Sequence, residues 1–248
     1  MKPRSPLFWA SLAGLAVLAA AFAPVAWQMV QPSRQPLALR SEGPAPWQIE
    51  RGPQGELRAF GLQLPGSTLA DAVQRWGDDL RVALIASRGQ PVALEAYTER
   101  WTGGGITGKL VLATDAQSAA VTRWQERSTR HERIDADAQR WGLRPEDRDD
   151  AMRSRIVGVS FLPSSKVDAA TLQARFGAPV EMLAGEGRTR HWLYPDRGLA
   201  IAWDEASGKA VLQVVLATEF ESRLRAPVLA AAAALQASAA ASAAAPPR

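Results

Sequence analysis

One pattern constrains the fold of this chain more than any other. The same order of helix and strand signals occurs twice, one hundred residues apart. In the better-preserved copy, Asp168–Val215, a capped helix ending at Gly177 precedes four segments of strand character. The matched residues are Leu62 with Leu162, Thr68 with Asp168, Arg75-Trp76-Gly77 with Arg175-Phe176-Gly177, Leu80 with Val180, and Val82 with Met182. Because the matches keep their order, they predict two tandem copies of one unit.

The later strands of the two copies also correspond. A three-residue adjustment brings the two tyrosines of the chain, Tyr97 and Tyr194, into register. Further along, 108–112 matches 198–201, and each strand runs into an aspartate, Asp115 or Asp204. A short helix followed by strands joined by tight turns predicts an α+β fold, with each unit built from a helix and an antiparallel sheet.

The N-terminal region predicts a membrane anchor. Leu7–Val30 is a run of 24 residues without a charge, which is long enough to span a bilayer. Trp9 and Trp27 lie near its ends, where interfacial aromatic residues are expected. We expect residues 1–30 to be an uncleaved anchor, because Pro24 follows the small residues of the best cleavage site; a cleaved signal peptide is the alternative.

The segments around the anchor indicate a location. The basic lead with Lys2 and Arg4 favours a cytoplasmic N-terminus, which predicts a bacterial-type inner membrane protein with its folded part in the periplasm. Residues 31–46 are expected to form a semi-extended stalk, since four prolines interrupt them: Pro32, Pro36, Pro44 and Pro46. The chain has no cysteine, which excludes disulfides, thiolate metal sites and an N-terminal lipid on cysteine.

The remaining chain divides into four parts. We expect a first unit at 47–114, a charged helical connector at 115–154, a second unit at 155–220 and an alanine-rich tail at 221–248 that frays into disorder. In the connector an apolar stripe at helical spacing predicts an inserted helix that packs onto the fold. Its members are Val121, Trp124, His131, Ile134, Ala138 and Trp141. The alternative is a helix that docks a partner.

Short motifs in the second unit carry a resemblance. Phe176-Gly177 with Pro179, Trp192 with Tyr194, and Gly198-Leu199 resemble the unit of the small outer-membrane-assembly lipoproteins of the SmpA/OmlA type. Two such units in tandem resemble beta-lactamase inhibitor protein. The resemblance covers about half of the chain, and those lipoproteins need a cysteine that is missing here. It implies a non-enzymatic binding module of the cell envelope.

Catalytic motifs are weak. Gly103–Lys109 matches the start of a phosphate-binding P-loop, but Leu110 replaces the required Ser or Thr, and the segment leads into a strand; a glycine-rich hairpin turn explains it better. Ser160, His191 and Asp204 have the residue types of a hydrolase triad, but the sequence around Ser160 does not resemble a nucleophile elbow. We therefore expect no catalytic residues, no metal site, no cofactor and no nucleic-acid partner, since no basic patch is evident.

Three aromatic residues form the candidate interaction surface. Strand alternation places Tyr97 on the side of Glu95, and the match of the tyrosines places Trp192 and Tyr194 on the same outer face. Exposed Tyr and Trp are common interface anchors. The alternative is that the connector helix covers this face and that the aromatics are core residues.

These observations favour a non-catalytic, membrane-anchored, extracytoplasmic protein that binds or scaffolds another envelope protein. An enzyme, acting as a nucleotide binder at Gly103–Lys109 or as a hydrolase around His191, is one alternative. A purely structural envelope component is the other.

The anchor assignment is testable. The full chain is expected to stay in the membrane pellet after alkaline extraction, with its N-terminus intact by mass spectrometry. A chain whose residues 1–30 are replaced by a cleavable signal peptide is expected to move to the supernatant. Recovery of a wild-type chain shortened near residue 26 would contradict an uncleaved anchor.

Overall fold

The computed structural model describes residues 43–87, 90–134 and 136–243. They form an α+β fold with a ten-stranded antiparallel sheet, a three-stranded sheet and several helices, which confirms the predicted class. The predicted anchor and most of the stalk lie outside the described residues. Among the residues that are described, no helix is long and apolar enough to cross a membrane.

A small sheet precedes the first helix. Its strands are β1 (Glu50–Arg51), β2 (Leu57–Ala59) and β3 (Leu62–Leu64). A tight turn at Phe60-Gly61 separates β2 from β3. Both turn residues have positive φ, 55° and 77°, which is the geometry of a two-residue hairpin loop.

The first helix of the repeat forms as predicted. Helix α1 (Leu69–Trp76) begins with a reciprocal capping box: Thr68 Oγ1 accepts from the Asp71 amide, and the Asp71 carboxylate accepts from the Thr68 amide at 2.7 Å. Helix α1 ends at Gly77, which has a φ of 70°.

Three long strands follow this helix. They are β4 (Arg81–Ser87), β5 (Ala93–Gly103) and β6 (Ile106–Thr114). Strands β5 and β6 form a hairpin whose turn residues, Gly104 and Gly105, have φ values of 57° and 76°. The glycine-rich segment is therefore a hairpin turn, as preferred from the sequence, and it opens a strand instead of a helix.

The connector differs from the prediction. It contains helix α2 (Ser118–Arg127), strands β7 (His131–Arg133) and β8 (Ala138–Trp141), and helix α3 (Pro145–Met152). The single helix expected on the apolar stripe is thus wrong beyond Arg127. In the β7–β8 hairpin, His131 lies opposite Trp141, and the centroids of their stacked rings are 4.8 Å apart. Both residues belong to the predicted apolar stripe, but they meet by cross-strand pairing and not on one helix face.

The second half matches the predicted elements. It contains β9 (Ile156–Pro163), α4 (Ala169–Phe176), β10 (Glu181–Ala184), β11 (Thr189–Tyr194), β12 (Leu199–Asp204) and β13 (Ala210–Val215). The tail continues as helix α5 (Ala226–Ala243), with Val228 and Ala231 buried. The first turns of the tail are therefore part of the packed fold.

All the long strands belong to one sheet. The strand order is β10-β11-β12-β13-β9-β6-β5-β4-β8-β7. Strand β9 pairs with β6 on one side and with β13 on the other, so the two predicted units share a continuous sheet. Counting outward from the central β13–β9 pair, β12, β11 and β10 follow in that order on the β13 side. Strands β6, β5 and β4 occupy the equivalent positions on the β9 side.

The two faces of the sheet carry different layers. The core face contacts α1, α2, α3, α4 and the small sheet through one hydrophobic cluster, in which Phe60, Trp101 and Phe161 have ring centroids 5.2–5.5 Å apart. On the outer face, a smaller cluster joins Leu193, Ala200 and Val215 to Phe220 and Leu224, which precede α5. Described residues thus cover the core face along most of its length and the outer face at the β10 end.

We expect Phe161 to be a main contributor to stability. Its side chain is fully buried at the centre of the sheet, so Phe161→Ala should lower the free energy of unfolding by about 3–5 kcal/mol. Val180→Ala, at a position that is 72% exposed, should change it by less than about 0.5 kcal/mol. Urea unfolding monitored by circular dichroism measures both, and equal losses would contradict the central role of Phe161.

Candidate functional site

The three predicted interface aromatics are buried. Tyr97, Trp192 and Tyr194 are 8%, 6% and 4% exposed. The exposure expected from strand alternation is therefore wrong. The burial does not come from one connector helix over a shared face, because residues 131–133 and 138–141 are strands.

These aromatics also lie on opposite faces of the sheet. Side chains of directly paired residues point to the same face. The outer-face row that contains Tyr97 runs across eight strands and comprises Arg81, Tyr97, Val111, Ser160, Gln213, Ala200, Leu193 and Glu181. Leu193 is thus the counterpart of Tyr97, and Tyr194 lies one residue further on, toward the core face. The match of the two tyrosines is wrong by one residue, which reverses the face.

On the core face, Trp192 and Tyr194 help to hold helix α4 and its flanking loops. The Tyr194 hydroxyl donates to the Gly177 carbonyl at the end of α4, at 3.0 Å. Trp192 packs edge to face against Trp203, whose indole donates to the Val167 carbonyl. Burial raises the pKa of Tyr194 to about 12, so its hydroxyl remains a donor throughout the neutral range. Both residues serve the architecture of the second unit.

On the outer face, Tyr97 belongs to a charged cluster. The Arg140 guanidinium donates to the Tyr97 hydroxyl and to the Glu132 carboxylate. Lys109 Nζ lies 4.9 Å from the Tyr97 ring centroid and 3.3 Å from Glu99 Oε1. Tyr97 thus contacts two cationic side chains, Lys109 at its ring from the neighbouring strand β6 and Arg140 at its hydroxyl from β8.

Glu95 lies in the next row of the same face. It pairs across the sheet with Ala83 and Ala113. Burial raises its pKa to about 7, while the charge of Lys109 acts in the opposite direction. Burial also lowers the pKa of Lys109, and Glu99 opposes that shift.

A polar cleft opens beside this cluster. Its volume is about 540 Å³, and its lining includes Arg81, Tyr97, Arg130, Glu132 and Arg140. These residues come from β4, β5 and the β7–β8 hairpin. Three arginines face one glutamate here, so the cleft carries a net positive charge.

The residues of the proposed enzymes are not brought together. Ser160 on β9 and His191 on β11 are separated by three strand spacings, roughly 14 Å. The Asp204 carboxylate accepts from the amides of Ala206 and Ser207 in a turn. His191 is 3% exposed, and burial lowers its pKa to about 4. Within the described ranges no group of three or more His, Asp or Glu side chains could hold a metal ion.

Strand β10 forms an open edge of the large sheet in the described part of the chain. The Gly185 amide donates to the Thr189 carbonyl at 2.9 Å. Because antiparallel hydrogen bonds alternate along a strand, Leu183 and Glu181 bond toward β11, and Met182 and Ala184 direct their N–H and C=O groups outward. The side chains of Val180 and Met182 are 72% and 62% exposed, and these are the large apolar side chains most exposed among the described residues.

The other sheet edge is protected. At the corresponding position of the first half, the edge of β4 is covered by β8, which in turn is covered by β7. The outermost strand β7 has three exposed polar or charged residues, His131, Glu132 and Arg133. Charged side chains on an edge strand discourage further pairing, so the two edges differ in chemistry.

The sequence pattern predicted neither the cleft nor the β10 edge. Arg81, Arg130 and Arg140 meet only because the connector forms a hairpin beside β4. Met182 was matched with Val82, but Val82 is half-buried against the core cluster, whereas Met182 is exposed on an edge strand. Ser128 and Gly142, which interrupt the apolar stripe on either side of the hairpin, are the residues that could have indicated it.

Comparison with protein-family models, with curated proteins and with solved structures finds no match for this chain. The resemblance to envelope assembly lipoproteins and to tandem inhibitor units therefore rests on the residues quoted for it alone.

Glu95 predicts a pH dependence of stability. Its pKa rises from 4.5 to about 7 on folding, so its contribution is fully present below pH 4.5 and is lost as the pH rises toward 7. Glu95→Gln should therefore become progressively more stable than the wild type between these values. Chemical denaturation of both proteins at several pH values measures the difference.

An exposed helix position provides the control. Glu126→Gln on α2 should change stability by a similar small amount at every pH. A Glu95→Gln difference that is equally independent of pH would contradict the burial of this carboxyl group.

Proposed function

We propose that this protein is a non-catalytic, membrane-anchored component of the cell envelope that binds an extended segment of another envelope protein along β10. Residues 7–30 serve as the anchor in a bacterial-type inner membrane, and residues 31–46 serve as the stalk. The two helix-plus-sheet units then lie in the periplasm. The absence of cysteine is compatible with that compartment, because a core of this size needs no disulfide.

The observation that carries the proposal is the open edge of β10. An exposed strand with unpaired backbone groups is a template for a further strand, and many peptide-binding domains bind their partners in this way. The outward groups of Met182 and Ala184 require a partner backbone that offers alternating N–H and C=O groups. An extended polypeptide segment has this chemistry.

The side chains at the edge define the partner further. Val180 and Met182 provide an apolar surface next to the buried Trp192, which pairs with Met182 across the strands. Glu181, the charged residue of β10, is neutralised by a two-point ion pair with Arg225, at 2.6 and 3.2 Å. A partner strand without charges, with apolar residues on the side facing Met182, complements this edge best.

The same fold contains a precedent for this mode. In the first half, β8 pairs antiparallel with β4 through Leu84, Ile85, Ala86 and Ser87. A strand is thus added intramolecularly at the position that remains open in the second half. An intermolecular strand at β10 would complete the corresponding arrangement.

Site-specific photo-crosslinking in intact cells tests the proposal. A photoreactive residue at position 180 should yield one adduct with another envelope protein, and the same residue at position 133 on β7 should not. Ala184→Pro removes an outward N–H that pairing with β11 does not use, and Met182→Lys adds a charge to the edge. Each substitution should reduce the adduct roughly tenfold.

Thermal unfolding serves as the folding control, since both edge positions are exposed and the variants should unfold within a few degrees of the wild type. An adduct that persists in both variants would contradict docking along β10. An adduct with the mass of two copies of this chain would show self-association instead of binding to another protein.

A further inference from the structure

We propose that the outer-face cleft formed by Arg81, Arg130 and Arg140 is an anion site that binds a phosphate group, either free or on a lipid headgroup. The site is independent of the β10 edge, because it lies at the opposite end of the ten-stranded sheet.

The strand register brings the three arginines together. Arg140 on β8 pairs with Ile85 on β4 and with Glu132 on β7, so these residues share the outer face. Arg81 lies on the same face because it is four residues before Ile85 in β4, and every second residue of a strand points to the same side. Arg130 precedes β7 and continues its pairing, since its carbonyl accepts from the Gly142 amide at 2.9 Å. Arg81 on β4 and Arg130 beside β7 lie two strand spacings apart, roughly 10 Å, with Arg140 on the strand between them, and all three side chains line the same cleft.

Charge balance favours an anion. Of the charged side chains that line the cleft, three are cationic and one, Glu132, is anionic. Within the described residues, the ion pairs of this region join Arg140 to Glu132 and Lys109 to Glu99. Arg81 and Arg130 are exposed to solvent, so their guanidinium groups remain available. A cleft lined by charges of one sign concentrates the opposite ion.

The geometry favours phosphate over a single carboxylate. Arginine forks donate paired hydrogen bonds to planar or tetrahedral oxyanions, and a phosphate has enough oxygens for more than one fork. Arg140 is already oriented by the Tyr97 hydroxyl and Glu132, which reduces the entropy lost on binding. A volume of about 540 Å³ accommodates a phosphate together with the small group that carries it.

Titration calorimetry on the full chain, in nanodiscs of uncharged lipid, tests the site with inorganic phosphate and glycerol phosphate as probes. Arg81→Gln and Arg130→Gln should each weaken binding roughly tenfold. Arg133→Gln is the matched control: it removes the same charge from the same hairpin, but residue 133 alternates with Glu132 and lies toward the other face. It should change affinity less than about twofold.

A second arm distinguishes the source of the phosphate. Nanodiscs that carry the protein are sedimented with added vesicles containing an anionic phospholipid. Vesicle binding that is lost in Arg81→Gln and Arg130→Gln identifies a lipid headgroup, and binding of the soluble probes alone identifies a free phosphate compound. Both outcomes support the site.

The proposal would be overturned by three outcomes. The wild type could bind neither the soluble probes nor the vesicles. Arg133→Gln could weaken binding as much as Arg81→Gln, which would indicate unspecific attraction by the net charge. Binding could also be unchanged in Arg81→Gln and Arg130→Gln. Because both positions are exposed, the variants should melt at the same temperature as the wild type without probe, which shows that a loss of binding does not come from unfolding.

Discussion

Strand β9 is the element on which the rest of the structure depends, because it pairs with β6 from the first half and with β13 from the second. Its residues alternate between the faces. Phe161 enters the aromatic cluster of the core face, while Ser160 lies on the outer face. A shift of one residue would move Phe161 to the outer face and would reverse the face of every other side chain of β9 relative to β6 and β13. The burial of this one ring therefore sets a common register, and rows of paired side chains run without a break from Arg81 to Glu181.

The connector accounts for the difference between the two halves. In the first half it adds β8 and β7 to the edge of β4, and with them it supplies Arg130 and Arg140 to the outer face. The second half has no such insertion between β12 and β13, so β10 remains an open edge. The charged cleft and the apolar edge thus have a single structural origin. The two ends of one sheet thus present two chemically different surfaces.

Local interactions made a large part of the fold predictable. Thr68 with Asp71, and Asp168 alone, mark the starts of α1 and α4, since capping depends on residues within one turn. The glycine pair 104–105 marks a hairpin for the same reason. Cross-strand partners are a different matter. The stripe from Val121 to Trp141 satisfies helical spacing, yet beyond Arg127 the chain gains more by stacking His131 on Trp141 and extending the sheet. Likewise, Tyr97 and Tyr194 match by residue type, but the pairing of their strands places the two side chains on opposite faces of the sheet. Strand β5 also contains a bulge between Thr98 and Trp101.

The sequence by itself determined the α+β class, the duplicated helix-and-strand order and the residues that begin and end its helices, because these depend on contacts between near neighbours. Only the tertiary structure decided which strands lie at the edges, which face each aromatic occupies, and which charges meet. Those properties depend on pairing between segments far apart in the chain, where one residue of register or one added hairpin changes the environment of a side chain completely. Tyr97 is the clearest case: its type indicated an interface, and its strand partners placed it beneath Arg140 and beside Lys109.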